Sequence, residues 1–296
     1  MSVATVTAPR TLASVARDYV SLFKLRIVLL LDATAVGVML PAAHGHPRLF
    51  AVLAVLAGGT LAAGGAHAIN CWFDRDIDAE MTRTRRRPLP AGRIPAWHAL
   101  AIGIAMNVLA FAVLWGGANL LAAALALAGT LIYVFVYTIW LKRHTPQNIV
   151  IGGAAGAVPP LVGWAAATGH LDLTALALFG VIFFWTPPHF WALAQMIKSD
   201  YARANIPMLP VVGGDWSAKR QSIAYAVLTL GVSVIPFFTG SAGAIYLAGA
   251  TVLGLGLVGV TVLDLEGRRW TRRVFTYSIS YMALLFILFA VSPFVP

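Results

Sequence analysis

Residues 70–90 carry the densest set of groups in this chain that could do chemistry. Asn70, Asp74 and Asp78 recur at every fourth position. On an α-helix a four-residue step turns the side chain by only about 40°, so the three side chains would share one face. Mg²⁺ prefers oxygen ligands and often completes its shell with substrate phosphates. The spacing therefore predicts a stripe of Mg²⁺ ligands that bridge to a diphosphate, although a solvated helix end with ordinary salt bridges would have the same pattern.

A cluster of arginines follows this stripe within fifteen residues. Its members are Arg83, Arg85, Arg86, Arg87 and Arg93. Guanidinium groups bind phosphate oxygens in pairs, whereas arginines beside a membrane also contact headgroups and set topology. We predict that Arg83 and Arg87 bind the diphosphate. Arg85 and Arg86 are predicted to face the lipid surface, and Asp76, which falls off the stripe, to pair with an arginine.

The composition is that of an integral membrane protein. Of 296 residues, 59% are hydrophobic and 11% are charged, whereas soluble domains carry about 25% charged residues. The net charge of +10 would suggest nucleic-acid binding in a soluble protein, but here we attribute it to membrane topology and predict no nucleic-acid partner. The single cysteine, Cys71, excludes an intrachain disulfide and a cysteine-rich metal site.

Nine apolar runs are long enough to cross a bilayer. They lie at 22–42, 49–69, 97–115, 119–140, 148–168, 173–197, 221–239, 243–263 and 274–295. We expect an all-α membrane fold with one transmembrane domain at 19–296, preceded by a flexible leader at 1–18. The runs at 148–168 and 173–197 contain prolines or polar residues, so they should be buried within the bundle.

The lysines and arginines divide unevenly between the two sides of this predicted bundle. Of the 21 lysines and arginines, 20 lie on one side, either before or at the start of the first span or in the alternate connections 70–96, 141–147, 198–220 and 264–273, and only Arg48 lies on the other. By the positive-inside rule that side is cytoplasmic, and the odd number of spans places the C-terminus outside. The acidic residues and the long loops share the basic side, so we expect the active site at the cytoplasmic membrane boundary.

Two further loops on that side contribute candidate residues. Lys142 and Arg143 end a helix before a Thr-Pro turn; they could contact the diphosphate or serve only as helix C-terminal charges. Asp200 could supply a second acidic patch and a metal ligand, and Lys198 could neutralise the leaving diphosphate. The alternative for Lys198 and Asp200 is an ordinary capped loop entry, but function is favoured because the segment breaks a membrane helix on the side of the active site.

Two histidines lie at membrane depth, where an ionisable side chain is a functional candidate by default. His189 follows Pro187 and Pro188 between aromatic residues, and His67 stands about one helical turn before Asn70. Each could bind a haem iron, and His189 could also act as a base or hydrogen-bond a carbonyl that the prolines leave free. Asp32 lies inside the first span, and the sequence identifies no partner for it.

Taken together, these motifs resemble those of a known family. The pattern NxxxDxxxD followed by MTRTRRRPL resembles the first signature of the UbiA-type intramembrane prenyltransferases. The stretches at 137–164, 186–194 and 200–212, which contain LKRHTPQN, TPPHFWALA and DYARANIPMLPVV, resemble the branch of that family that acts on haem. The similarity extends from about residue 20 to about residue 290.

The resemblance implies nine transmembrane helices around a central cavity, in the inner membrane of a bacterium. It implies Mg²⁺-dependent transfer of a farnesyl group from farnesyl diphosphate to a vinyl group of haem b, giving haem O for cytochrome oxidase cofactor synthesis. Membrane lipid and haem A synthase are the further partners expected.

The implied roles can be assigned residue by residue. The resemblance implies metal binding by Asn70, Asp74 and Asp78, and places Asp200 in a second acidic motif. It implies diphosphate binding by Arg83, Arg87, Lys142 and Arg143. Many relatives carry a second DxxxD pair, but four residues after Asp200 this chain has Ala204. A second metal ion is therefore not implied by the sequence.

Three other functions fit parts of the pattern. A related enzyme could attach a polyprenyl chain to an aromatic acid or quinone precursor, but the PPHFW stretch argues against it. A transporter would place polar residues near the midplane, whereas here they cluster towards one face. A structural haem-binding subunit would leave the aspartates and arginines without a role.

Overall fold

A computed structural model describes residues 11–295, except for the side chain of Arg268. This part of the chain contains helices and no strand. The α-helices are α1 Leu12–Leu22, α2 Leu25–Ala42, α3 Leu49–Phe73, α4 Arg75–Glu80, α5 Ala96–Gly117, α6 Leu120–Leu131, α7 Lys142–His144, α8 Asn148–Thr168, α9 Leu173–Met196, α10 Lys198–Arg203, α11 Leu209–Val212, α12 Gly214–Ser233, α13 Ile235–Phe238, α14 Ala244–Leu263 and α15 Arg268–Val291. A π-helix, Ile132–Leu141, joins α6 to α7.

Within residues 11–295, nine helical segments are long and apolar enough to cross a membrane, which confirms the nine predicted spans. The largest differences lie at the starts of two spans. Helix α12 begins at Gly214 rather than 221, and the last span begins at Arg269 rather than 274. Both helices open with charged residues, which a hydropathy pattern excludes although they can extend a helix into the headgroup layer.

The predicted leader at 1–18 is only partly testable. Residues 1–10, including Arg10, lie outside the described residues. From Leu12 onwards the chain is helical, because α1 runs from Leu12 to Leu22 and the Thr11 side chain caps it by accepting a hydrogen bond from the Ser14 amide. Helix α1 therefore includes residues 12–18 of the segment that we expected to be a flexible leader.

The helices approach one another closely at small residues. A Cβ added to Gly163 in α8 would lie 2.0 Å from the Ala35 carbonyl oxygen of α2, and one added to Gly103 in α5 would lie 2.8 Å from the Gly65 carbonyl oxygen of α3. Such contacts bring helix backbones together and are common in membrane bundles. They fix α3 against α5, and α2 against α8.

Helices α8 and α9 form the most enclosed part of the bundle, as predicted for the runs at 148–168 and 173–197. Pro187 and Pro188 lie inside α9 without ending it. Just before them, the Thr186 hydroxyl donates a hydrogen bond to the Ile182 carbonyl at 2.7 Å. The main apolar core contains Trp164 and Leu178 of these helices, packed with residues of α14 and α15.

Candidate active site

The predicted stripe of Asn70, Asp74 and Asp78 is buried. The three residues are 4%, 1% and 4% exposed. Helix α3 ends at Phe73, and Asp74 separates it from α4. The helical hydrogen-bond pattern nevertheless continues, because the Asp74 amide donates to the Asn70 carbonyl at 2.9 Å and the Asp78 amide to the Asp74 carbonyl at 2.8 Å.

Asp74 is the centre of the polar contacts. Its Oδ2 accepts hydrogen bonds from Lys142 Nζ at 2.5 Å and from Asn70 Nδ2 at 2.7 Å. Its Oδ1 is buried without a hydrogen-bond partner, and the nearest Arg143 nitrogen lies 3.7 Å away. Lys142 and Arg143 are thus brought to the stripe, and Asp74 keeps one oxygen available to a further ligand.

The other two aspartates of this segment pair with arginines. Arg87 donates to Asp78 Oδ2 at 2.8 Å. Arg143 donates to both oxygens of Asp76, at 2.7 and 2.8 Å, and its guanidinium lies 4.7 Å from the centre of the Phe73 ring. The hydrogen bonds from Arg143 hold the pKa of Asp76 below its ordinary value. Asp76 is therefore an arginine partner, as its position off the stripe predicted.

Asp200, in α10, lies against the loop that follows α4. Its Oδ2 accepts a hydrogen bond from the Arg83 backbone amide at 3.3 Å, and its Oδ1 pairs with Arg203 at 3.3 Å. Burial alone would raise the pKa of Asp200, but hydrogen bonds from Thr82 and the Arg83 amide, with the charge of Arg203, lower it overall. Asp200 is thus hydrogen-bonded to the loop that follows Asp74 and Asp78.

Two predicted residues lie less centrally. The Arg83 side chain is exposed and forms no hydrogen bond within residues 11–295. Lys198 pairs with Asp215 of α12 at 2.9 Å, so within the described residues it contacts none of the stripe carboxylates. Neutralisation of a leaving diphosphate by Lys198 stays a prediction.

Other contacting residues were not singled out from the sequence. Lys24, between α1 and α2, donates to Asn70 Oδ1 at 2.9 Å. Thr138, in the π-helix, accepts from Asn70 Nδ2 at 3.1 Å, and its hydroxyl donates to the Tyr133 carbonyl at 2.8 Å. π-Helical segments inside α-helices occur frequently at functional sites. The residues of this π-helix form an ordinary apolar sequence, which does not predict a π-helix.

The two histidines lie in different surroundings. His67 is buried, its Nδ1 is 3.2 Å from the Tyr133 hydroxyl, and its Nε2 has no hydrogen-bond partner. His189 stacks between Trp185 and Phe275, at centroid distances of 4.4 and 4.8 Å. Its Nδ1 lies 2.8 Å from the Ser278 hydroxyl, so the carbonyls beside the prolines are not its partner. Within residues 11–295, His67 Nε2 therefore remains without a hydrogen bond.

Asp32 has a partner that the sequence did not reveal. The Thr60 hydroxyl of α3 donates to its Oδ2 at 2.6 Å. Its Oδ1 lies directly against Gly59, where an added Cβ would be 2.4 Å away. The carboxyl group is therefore accommodated between α2 and α3 by a small residue and a hydroxyl.

The donor set suits a cation that is shared with a phosphate ligand. Within residues 11–295, no three His, Cys, Asp or Glu side chains converge as a complete metal cage. Asp74 and Asp78 nevertheless lie one helical turn apart, and within residues 11–295 the buried Asp74 Oδ1 accepts no hydrogen bond. Mg²⁺ is often held by one or two carboxylates together with substrate phosphates and water, and these residues fit that arrangement.

The helices and this site define an integral membrane protein. Its buried polar site lies at one end of the bundle and is lined by lysine and arginine side chains. The model of the UbiA prenyltransferase family matches residues 30–287. A protein of Gloeobacter violaceus named protoheme IX farnesyltransferase is 51% identical over 279 residues, which cover 93% of this chain and 92% of that protein. The chain therefore belongs to the UbiA prenyltransferase family.

A second relative differs in length. A protein of Roseiflexus sp., also named protoheme IX farnesyltransferase, is 52% identical over 280 residues, covering 94% of this chain and 52% of that protein. This chain thus spans about half the length of that relative and nearly the whole length of the Gloeobacter protein.

Solved structures share the fold at low sequence identity. A structure from work on digeranylgeranylglyceryl phosphate synthase in membranes superposes with a TM-score of 0.80 and 18% identity, covering 94% of this chain and 98% of that one. A UbiA homologue from Archaeoglobus fulgidus bound to DMAPP and Mg²⁺ gives a TM-score of 0.66 and 18% identity, covering 93% and 99%. These similarities confirm the predicted UbiA-type helical membrane fold.

Proposed function

We propose that this chain is a protohaem IX farnesyltransferase. It would transfer a farnesyl group from farnesyl diphosphate to a vinyl group of haem b and release diphosphate, and water would supply a hydroxyl group to the other vinyl carbon, giving haem O. The observation that carries the proposal is a pair of buried carboxylates surrounded by lysine and arginine side chains, in a chain that is 51% identical to the Gloeobacter protein of that name.

The site supports binding of a diphosphate. Arg87 and Lys142 contact the two stripe carboxylates at 2.8 and 2.5 Å, and Arg143 lies beside them. Asp74 and Asp78 would hold Mg²⁺, which would neutralise the negative charge that grows as the carbon–oxygen bond breaks. The A. fulgidus homologue was determined with DMAPP and Mg²⁺, which supports a prenyl diphosphate and a divalent cation as ligands of this fold.

The aromatic residues beside the stripe suit an allylic cation. Tyr133 and Tyr137 of the π-helix stack with centroids 5.6 Å apart, and aromatic faces attract cations more strongly away from water. The terminal carbon of the haem vinyl group would attack carbon 1 of the farnesyl group as an electron-rich alkene while diphosphate leaves. Water would then add to the cation left on the vinyl carbon next to the porphyrin and lose a proton. His189, held between two aromatic rings, is the proposed haem contact, and His67 is the second candidate.

The membrane placement also belongs to this proposal. We assign the N-terminus and the site to the cytoplasmic side of a bacterial inner membrane, since the basic residues lie almost entirely on that side of the bundle. Residues 19–296 would form one transmembrane domain. Haem A synthase, which would use haem O, is the proposed protein partner.

A purified-enzyme assay tests the acceptor. The full chain in detergent would be incubated with farnesyl diphosphate and Mg²⁺, together with either haem b or 4-hydroxybenzoate, and the products identified by mass spectrometry. We expect a prenylated haem and no prenylated benzoate. The reverse result would assign the chain to polyprenyl transfer onto an aromatic acid, and substrate flux across vesicles without diphosphate release would indicate a transporter.

A further inference from the structure

The aromatic stack around His189 is built from two helices. Its ring lies nearly parallel to Trp185 of α9 and Phe275 of α15, at interplanar angles of 16° and 21°. Ser278 of α15 joins the two helices, because its hydroxyl lies 2.8 Å from His189 Nδ1 and its carbonyl accepts a hydrogen bond from Trp185 Nε1 at 2.8 Å. The three rings are only partly buried, so a flat apolar molecule can pack against them.

Arg272 lies one helical turn before Phe275 on α15. A three-residue step places two side chains within about 60° of each other around the helix and about 4.5 Å apart along it. Arg272 is therefore on the side of α15 that carries the stack, but nearer to the basic end of the bundle. Its side chain is exposed, and within residues 11–295 its guanidinium forms no hydrogen bond, ion pair or ring contact. This cation is available to a ligand.

The start of α15 is held by a buried polar cluster. The Thr271 hydroxyl donates to Asp264 Oδ1 at 2.7 Å, and Lys219 of α12 lies 3.2 Å from the same oxygen. Lys219 also donates to the Asp264 backbone carbonyl at 2.6 Å, and all three residues are buried. Asp264 thus pairs with Lys219 rather than with an arginine of α15. The cluster fixes the turn from which Arg272 projects, as a precise binding group requires.

A free guanidinium beside partly buried aromatic rings suits an amphiphilic acceptor. Haem b is a flat, largely apolar ring with two propionate groups on the edge opposite its vinyl groups. A carboxylate is costly within the hydrocarbon layer, so the propionate edge should face the basic end of the bundle. Arginine binds a carboxylate through two parallel N–H donors, which gives both strength and orientation.

We propose that Arg272 binds a propionate of the haem acceptor while the porphyrin packs against the His189 stack. With the propionate edge held at α15, the vinyl edge points away from Arg272 and into the bundle. The inference rests on the proposed function in that it takes haem b as the acceptor. It adds a residue that orients the acceptor and selects for its carboxylates, from a loop that the sequence analysis assigned only to topology.

The alternative is that Arg272 contacts only lipid headgroups, as basic residues at this side of a membrane commonly do. Arg273 provides the comparison, because it is the next residue and is also exposed. It lies about 160° from Phe275 around the helix, and its guanidinium lies 4.3 Å from the centre of the Trp270 ring. A headgroup role predicts equal effects of changing either arginine, whereas propionate binding predicts an effect of Arg272 alone.

Titration with haem b and with its dimethyl ester tests the proposal, because the ester keeps the porphyrin and loses both carboxylates. Absorption titrations of the detergent-purified full chain, without farnesyl diphosphate, would compare the parent with Arg272→Gln and the matched control Arg273→Gln. Since paired hydrogen bonds between charged groups are the stronger class, we expect about tenfold weaker haem binding for Arg272→Gln. Arg273→Gln should change haem affinity by less than about twofold.

The ester separates propionate binding from a structural effect. The parent and Arg272→Gln should bind the dimethyl ester with equal affinity, because no carboxylate remains for the guanidinium to bind. Haem affinity of Arg272→Gln equal to that of the parent would overturn the proposal, and so would an equal loss of affinity for haem and for the ester. If Arg272→Gln does not fold, Arg272→Met replaces it, with the same expected and overturning results.

Failure of this inference can be told apart from failure of the proposed function. A parent chain that neither binds nor prenylates haem would refute the proposed acceptor together with this inference. A parent chain that prenylates haem, with an Arg272→Gln variant that binds haem as well as the parent does, would overturn only the role of Arg272.

Discussion

The ion pair between Asp74 and Lys142 allows stability and activity to be separated. The side chains are 2% and 14% exposed, and the charged atoms are 2.5 Å apart. Removing one member of a buried pair leaves an uncompensated charge and costs about 3–5 kcal/mol, whereas replacing both members is often close to neutral. We therefore expect Asp74→Asn and Lys142→Met each to destabilise the protein by that amount. The double variant should return to within about 1–2 kcal/mol of the parent.

Activity should behave differently. Asp74 Oδ1 is buried and accepts no hydrogen bond within residues 11–295, and we assign it to the metal. The double variant would therefore regain stability but not turnover. We expect no detectable farnesyl transfer from Asp74→Asn, with or without Lys142→Met. A merely structural role of Asp74 predicts the opposite, namely that activity returns together with stability.

The single cysteine provides the assay. Cys71 is 4% exposed and adjoins Asn70, so a thiol-reactive fluorescent dye reports loss of the folded state without an added label. Denaturant titrations in detergent would follow dye reaction for the four proteins. Asp215→Asn is the matched control, because its pair with Lys198 is about one-third exposed on each side and such pairs contribute roughly 0–1 kcal/mol. If the losses of stability in Asp74→Asn and Lys142→Met simply add in the double variant, the two side chains do not form the buried ion pair.

Other changes give equally distinct expectations. Asp78→Asn should lower turnover by more than a hundredfold while Asp76→Asn lowers it by less than tenfold, because only Asp78 is buried in the stripe; steady-state rates of diphosphate release decide this, and equal losses would contradict the assignment. His189→Ala should weaken haem binding in absorption titrations by about tenfold, and an unchanged spectrum and affinity would remove it as a haem contact. Gly163→Ala should destabilise the fold by about 1–3 kcal/mol or more, because its Cβ would lie 2.0 Å from a carbonyl oxygen of α2. Gly156→Ala in the same helix has no atom within 4 Å of its added Cβ and should be tolerated in the dye assay.

Much of the architecture could be predicted from the sequence. Apolar runs of bilayer length determine helices almost directly, since a backbone in lipid must satisfy its own hydrogen bonds. The four-residue spacing of Asn70, Asp74 and Asp78 predicted a common face; all three are buried, and the Asn70 side-chain amide donates to Asp74 Oδ2 at 2.7 Å. The ends of spans were less predictable, because the polar first turn of α12 lies outside the apolar pattern.

The contacts between distant segments could not be predicted in the same way. Lys24 and Thr138 reach Asn70 across 46 and 68 residues of sequence, and neither belongs to a recognisable motif. The left-handed turn at Lys24 and the π-helix that carries Thr138 depend on tertiary packing rather than local propensity. Lys198 shows the converse, because its place beside Asp200 suggested a shared site, whereas its side chain turns to Asp215.

Haem extracted from cells tests the central claim most directly. Bacteria that cannot make haem O themselves would express either this chain or its Asp74→Asn variant, with equal amounts of the two proteins in the membrane. The extracted haems would be analysed by mass spectrometry. We predict haem carrying a hydroxyethylfarnesyl group with the parent chain, and unmodified haem b with the variant. Unmodified haem from both, or farnesylated haem from both, would contradict the account.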